Sequence, residues 1–326
     1  MSTDAPLHFI SNREINPMSY PNLSDLINHL FGTNFQFPIA MFGTFVALAI
    51  ITAAWLGKKE VMRFEQRGLL PTAVMSGSKR IATHLLVSDL AMVGAIFGVI
   101  GARIFHLLEY PHEFMQNPLA MTFAREGFSF FGGLFLGAFA GAVFLKKRAV
   151  PIIPMLDALA PSLVLGYGIG RLGCQVSGDG DWGTAANMAI KPNWLPDWFW
   201  AQTYENNAVG TIITAPGVYP TPIYEALAAF LIFAFLWSIR KTHYKTGFLF
   251  SVYLLLSGFE RLLIEKIRIN SEYHLWGVSF TQAEFISTAL IIAGFIGIIK
   301  TTQTRLLPKL VFSSLVIAAL TACTQF

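Results

Sequence analysis

Residues 166–183 read GYGIGRLGCQVSGDGDWG: an apolar run delivers Arg171 near its end, then gives way to a loop carrying Asp179 and Asp181. Seven of these eighteen residues are glycine, which tolerates positive φ and lets another backbone or a ligand come close. A guanidinium is planar, permanently charged and matched to phosphate by a fork of N–H donors. Arg171 is therefore either a phosphate seat or a side chain that snorkels to the interface from a glycine-packed helix. Arg261 and Glu265 are four residues apart and share a helical face, with Arg268 one turn later. They read either as a structural ion-pair ladder or as a charged stripe that meets an anionic headgroup. The segment 220–225, PTPIYE, opens another apolar run. Its prolines suit a first helical turn, and Glu225 there has the bland reading of an acid favoured by the helix dipole.

The elements that position these groups are membrane helices. The 326 residues are 54% hydrophobic and 13% charged, about half the charge of a typical soluble domain. A span needs about 20 mostly apolar residues. Seven runs qualify, at about 37–56, 84–108, 127–145, 151–173, 221–239, 246–265 and 281–299, and a shorter one lies at 310–323. Lys and Arg cluster after the first, third, fifth and seventh runs. The positive-inside rule then places those ends in the cytoplasm and the N-terminus outside. The fold expected is an all-α integral membrane protein of about seven transmembrane helices, N-terminus outside and C-terminus inside, with the short eighth run left open. Three parts are expected: an external N-terminal segment 1–36, a polytopic domain 37–300 and a tail 301–326. Residues 184–220 hold Trp194, Trp198 and Trp200 among four prolines and read as a small external cap on the membrane.

Ionisable groups in or near the spans are Asp89, Arg103, Asp157, Arg171, Glu225, Glu260, Arg261 and Glu265. Each costs about 2.5–3.5 kcal/mol at the bilayer centre, so they should face one another or a wet cavity. Ser129–Leu134 opens the third run with two adjacent glycines, a sign of close helix packing or of a ligand wall. The net charge of +4 is modest, and no nucleic-acid partner is expected. The two cysteines, Cys174 and Cys323, lie far apart without a partner motif, so neither a disulfide framework nor a metal site follows. The polar N-terminus lacks the apolar core of a cleavable signal peptide. The first span must direct insertion.

Taken together, these pieces resemble the bacterial prolipoprotein diacylglyceryl transferases. The signature G-R-x-G-x(3–4)-[NS]-G-[DE]-x-x-G is similar at Gly170, Arg171, Gly173, Ser177, Gly178, Asp179 and Gly183, with one extra residue before the last glycine. P-x-x-x-Y-E matches at Pro220, Tyr224 and Glu225, and R-x-x-x-E at Arg261 and Glu265. G-[GA]-R-x-x-H/Y is similar at Gly101, Ala102, Arg103 and His106. D-x-x-A-P matches at Asp157, Ala160 and Pro161, and S-x-x-Q at Ser279 and Gln282. The chain departs from the family at Phe131, where many members have His, and at Phe42, Cys174 and Ser257, which replace Tyr, Asn and Tyr.

The resemblance implies a multi-pass enzyme of the bacterial inner membrane whose active site faces the periplasm and the outer leaflet. It would move a diacylglyceryl group from phosphatidylglycerol to the lipobox cysteine of a prolipoprotein signal peptide, forming a thioether and releasing glycerol phosphate. The resemblance requires neither cofactor nor metal, and its partners are these substrates and membrane lipids. It assigns Arg171 to the phosphate of phosphatidylglycerol, Arg261 to the leaving group, and Arg103 as a third candidate. Asp179, Glu225 and Glu265 either orient those arginines or accept the thiol proton. Gly178, Gly183 and Tyr224 join the phosphatidylglycerol-binding set. Two competing classes remain: a transporter or lipid-binding protein, whose buried charges line a pathway, and a homologue that binds without catalysing. His106 is the one near-site imidazole, with a core or interfacial histidine as its other reading. Finally, Lys309 precedes an apolar run that ends in Leu320-Thr321-Ala322-Cys323, which resembles a lipobox. The tail is either a short hydrophobic end or a mimic of the enzyme's own substrate.

Overall fold

The computed structural model describes residues 19–302, apart from 125–126, 243, 271 and 276–277. The tail with Cys323 lies outside the described residues. Eleven α-helices and two hairpins are described: α1 Leu23–Phe31, α2 Met41–Gln66, β1 Ala73–Ser76, β2 Lys79–Ala82, α3 Leu86–Glu109, α4 Pro111–Gln116, α5 Pro118–Thr122, α6 Phe130–Lys147, α7 Ile152–Ser177, α8 Asp197–Trp200, α9 Thr221–Ile239, α10 Phe248–Glu265, β3 Glu272–Leu275, β4 Val278–Thr281 and α11 Gln282–Thr301. The protein is thus mostly helical. Among the described residues, five stretches are long and apolar enough to cross a membrane: α2, Thr83–Glu109, α7, α9 and α11. The runs expected at 127–145 and 246–265 are also helices, α6 and α10. α10 carries Glu260, Arg261 and Glu265 within its 18 residues.

Each of the seven longer runs finds a helix, but boundaries move, and the short run at 310–323 lies outside the described residues. α2 starts after Pro38 and continues ten residues beyond the apolar part, through GKKEVMRFEQ. Those residues are mostly good helix formers. Glu60 then accepts from Arg63 (2.6 Å) and pairs with Arg240 (3.2 Å). Hydropathy alone did not show α1. Its start is a capping box, in which the Asn22 N–H donates to Asp25 Oδ2 at 2.8 Å. The same device starts α11 at Thr281 and Glu284.

The chain divides into two compact units. The first takes Leu172–Tyr224, Ile267–Ile269 and the described part of Met1–Thr44; the second takes Phe45–Arg171, Glu225–Lys266 and the described part of Asn270–Phe326. In the second unit, α3 packs on α6 and α10 on α11 through glycines. A Cβ at Gly101 or Gly132 would run into the facing backbone, and one at Gly294 would lie 2.6 Å from Leu255 N. Small residues at such contacts let membrane helices approach closely. Gly132 and Gly133 therefore serve packing against α3. Asp157, buried in α7, accepts from the Gly247 and Phe250 amides at 2.5 and 2.7 Å. It caps the start of α10 from a neighbouring helix and satisfies donors that a helix leaves orphaned.

In the first unit the segment after α7 is tied down by backbone bonds. Gly183 pairs with Arg268, and Ala185 and Gln202 each pair with Val218. Trp200 Nε1 donates to Asn187 O at 3.0 Å and its ring meets Tyr219. Tyr204 is fully buried and donates to Gln175 Oε1 at 2.8 Å. Burial holds its phenol above the usual range, so it stays a neutral donor.

Candidate functional site

In the second unit, three helices bring four of the expected residues together. Near its C-terminal end α7 supplies Arg171; α9 supplies Glu225 and α10 supplies Arg261 and Glu265. Glu225 is fully buried and bridges two guanidiniums. Its Oε2 lies 2.6 Å from Arg171 Nε, and its Oε1 lies 3.0 Å from Arg261 Nη1. Arg261 Nη2 reaches Glu265 Oε2 at 3.0 Å, as the four-residue spacing predicts. The other Glu265 oxygen accepts from Asn270 Nδ2 at 2.7 Å. The Tyr167 ring lies under Arg171, 5.1 Å from its guanidinium carbon.

Glu225 sits one turn inside α9, not in the first turn. The helix dipole therefore does not account for it, and the two arginines do. The desolvation penalty of a buried ion pair offsets most of its attraction, so this bridge is poorly explained as a source of stability. It fixes the position and direction of two positive groups instead. A guanidinium has five N–H donors, so pairing one or two of its nitrogens does not exhaust its capacity for an anion.

The stripe expected along α10 is broken. The helix ends at Glu265, and Arg268 belongs to the other unit, where its Nη2 lies 2.6 Å from Asp181 Oδ1. There Thr221 Oγ1 donates to Asp181 O at 2.7 Å, and the Asp181 N–H donates to Asp179 Oδ1 at 3.3 Å. Cys174 Sγ and the carboxylates of Asp179 and Asp181 lie within 4.8 Å of one another. The Arg268 pair already gives this acidic turn its counter-charge.

Gly178 has φ +62°, and a Cβ there would lie 2.8 Å from Asn207 Cβ and from Ser19 Oγ. At Gly183 a Cβ would run into Ile267 O and sit 2.9 Å from Thr221 Cγ2. Both glycines are thus required by the loop's own backbone. Tyr224 donates its hydroxyl to Phe199 O at 2.6 Å and packs on that ring.

Arg103, on α3, donates to Met121 O at 3.2 Å and to Ala124 O, and lies over the Phe128 ring. His106 packs on Tyr110, and its ring occupies the space that a side chain at Gly127 would need. Sequence reasoning gave no role to Glu260, Tyr167 or Asn270. A count of carboxylates against arginines on α10 and its neighbours would have raised Glu260.

The fold and the cluster define a multi-helix membrane protein with a carboxylate buried between two guanidiniums. The sequence model of the family described as "Prolipoprotein diacylglyceryl transferase" matches residues 29–300, and the chain belongs to that family. It is similar to the phosphatidylglycerol–prolipoprotein diacylglyceryl transferase of Leptospira interrogans serovar copenhageni, at 27% identity over 88% of this chain and 96% of the relative. The protein of that name from Clostridium tetani is 28% identical, covering 80% and 92%. The one from Shouchella clausii is 30% identical, covering 63% and 71%. The chain is therefore an enzyme, a transferase of lipoprotein biosynthesis, and the transporter-like reading is not favoured.

Proposed function

We propose that this enzyme transfers the diacylglyceryl group of phosphatidylglycerol to the thiol of a lipobox cysteine in a prolipoprotein signal peptide. The reaction is substitution at carbon: a sulfur–carbon bond forms, a carbon–oxygen bond to phosphate breaks, and glycerol phosphate leaves. Positive groups fixed where negative charge develops are the main protein contribution to such a step. The observation that carries this reading is the buried Glu225 carboxylate that aims Arg171 and Arg261. Arg171 holds the lipid phosphate, Arg261 meets the charge on the leaving oxygen, and Glu225 and Glu265 orient them. Arg103 is a third phosphate ligand. Asp179 acts within its own unit, beside Asp181 and Arg268, and Gly178, Gly183 and Tyr224 shape the loop around it. Incubating the purified protein with phosphatidylglycerol and a lipobox peptide tests the reading. The diacylglyceryl mass should appear on the peptide, and an unmodified peptide would overturn it.

The same reading sets the topology. Seven helices span the inner membrane with the N-terminus outside, residues 184–220 form a cap on the periplasmic side, and the active site opens toward the outer leaflet. Lys146, Lys147, Arg240, Lys241 and Lys300 support that orientation, because basic residues gather at cytoplasmic ends.

Phe131 stands where many relatives have His, and a phenyl ring has no exchangeable proton. Phe131→Leu is expected to keep transfer within about threefold of wild type, since it exchanges one apolar side chain for another and removes no proton-carrying group. A collapse in turnover at normal expression would instead assign the ring to the acyl or peptide pocket. The lipobox-like tail makes Cys323 a candidate acceptor for the enzyme's own reaction. Full-length protein from cells should then carry a diacylglyceryl mass that Cys323→Ser removes. An unmodified thiol, in cells whose other lipoproteins are lipidated, rules that out.

A further inference from the structure

The reaction needs a proton acceptor for the attacking thiol, and the residue at position 131 is not one. The buried cluster holds one more carboxylate than the pairs above account for. Glu260, on α10 immediately before Arg261, is only 8% exposed. Its Oε1 and the Tyr167 hydroxyl are both buried, and the hydroxyl is the carboxylate's hydrogen-bonding neighbour. The groups that face it are Arg171 and Tyr167 from α7, Glu225 from α9, and Arg261 and Tyr253 from α10. Glu225 is engaged by two guanidiniums, and Glu265 by Arg261 and Asn270. Two arginines thus meet three carboxylates. Glu260 is the one carboxylate of the three with no ion pair among those described. A buried carboxylate is costly to keep charged without a counter-ion of its own, and one kept beside the proposed phosphate seat is a sign of use.

We propose that Glu260 takes the proton from the attacking lipobox thiol; this rests on the functional reading above. As the S–H bond breaks, the proton passes to Glu260 Oε1, and the sulfur pair forms the bond to the glycerol carbon. The carbon–oxygen bond breaks with its electron pair going to the phosphate oxygen held by the guanidiniums. The proton then leaves on glycerol phosphate, which restores the carboxylate. Tyr167 borders the acceptor oxygen and directs it.

The test uses full-length wild-type, Glu260→Gln and Glu260→Asp proteins with phosphatidylglycerol and two lipobox peptides, one with cysteine and one with selenocysteine. A selenol is already ionised near neutral pH and needs no base. Glu260→Gln should lower transfer to the cysteine peptide by about 10²–10⁴-fold, the range that general base catalysis contributes. It should also remove the ascending limb of the pH–rate profile and leave phosphatidylglycerol binding unchanged. Transfer to the selenocysteine peptide should return to within about tenfold of wild type, and Glu260→Asp should keep part of the cysteine activity. Equal losses on both peptides, or wild-type rates and an unchanged profile on the cysteine peptide, would overturn the role. Wild-type protein that modifies neither peptide would overturn the functional reading itself, which separates the two failures.

Discussion

Arg171→Ala is expected to abolish diacylglyceryl transfer, a loss of about 10²–10³-fold or more, as when a single preorganised charge-stabilising donor is removed. Breaking a buried pair by deleting one partner costs about 3–5 kcal/mol, because the other charge is left uncompensated. Here the remaining carboxylate is Glu225, which keeps its 3.0 Å contact to Arg261. The protein should therefore still insert and fold, with a lowered melting temperature in detergent. Arg171→Lys separates charge from geometry. It keeps a cation opposite Glu225 but replaces a planar fork with a point charge, so it should fold nearly as wild type and still turn over poorly. Binding of phosphatidylglycerol should weaken in both variants. Near-normal turnover in Arg171→Ala would sink the assignment of the phosphate to this residue.

The sequence made the helices legible because membrane spans announce themselves by length and apolar content. Seven apolar runs became α2, α3, α6, α7, α9, α10 and α11. What it hid were features that depend on local chemistry. The polar second half of α2 is held by Glu60, Arg63 and Arg240, and α1 rests on an Asn22–Asp25 capping box. The site was legible where spacing along one helix decides it, as at Arg261 and Glu265. It was not legible where three helices converge: nothing in the periodicity says that Glu225 bridges Arg171 and Arg261. Arg268 was misassigned to a helical stripe because α10 stops at Glu265, three residues too early to carry it. Glu260 was visible only as one more acid in a span, and the proton-acceptor role inferred for it comes from its burial beside two arginines that pair with other carboxylates.

Arg261 and Glu265 are expected to behave as one unit in a double-mutant cycle on transfer rate. Arg261 has two carboxylate partners, Glu225 and Glu265, each at 3.0 Å. Removing it takes away the charge proposed to meet the leaving group and leaves both acids without that partner. Removing Glu265 leaves Arg261 charged and still paired with Glu225, but frees the rotation of its guanidinium, so the loss should be smaller. Once Arg261 is gone, Glu265 has nothing to orient, and Glu265→Ala should add little to Arg261→Ala. Contacting residues in one ion-pair network couple by about 0.5–3 kcal/mol, and this pair should fall at the upper end. Asn270→Ala offers an internal comparison. It removes the donor to the other Glu265 oxygen, so its effect should shrink in the Glu265→Ala background and persist in the Phe131→Leu background. Losses that simply add across Arg261 and Glu265 would give the two residues separate tasks and break the link between the helix-face spacing and the chemistry.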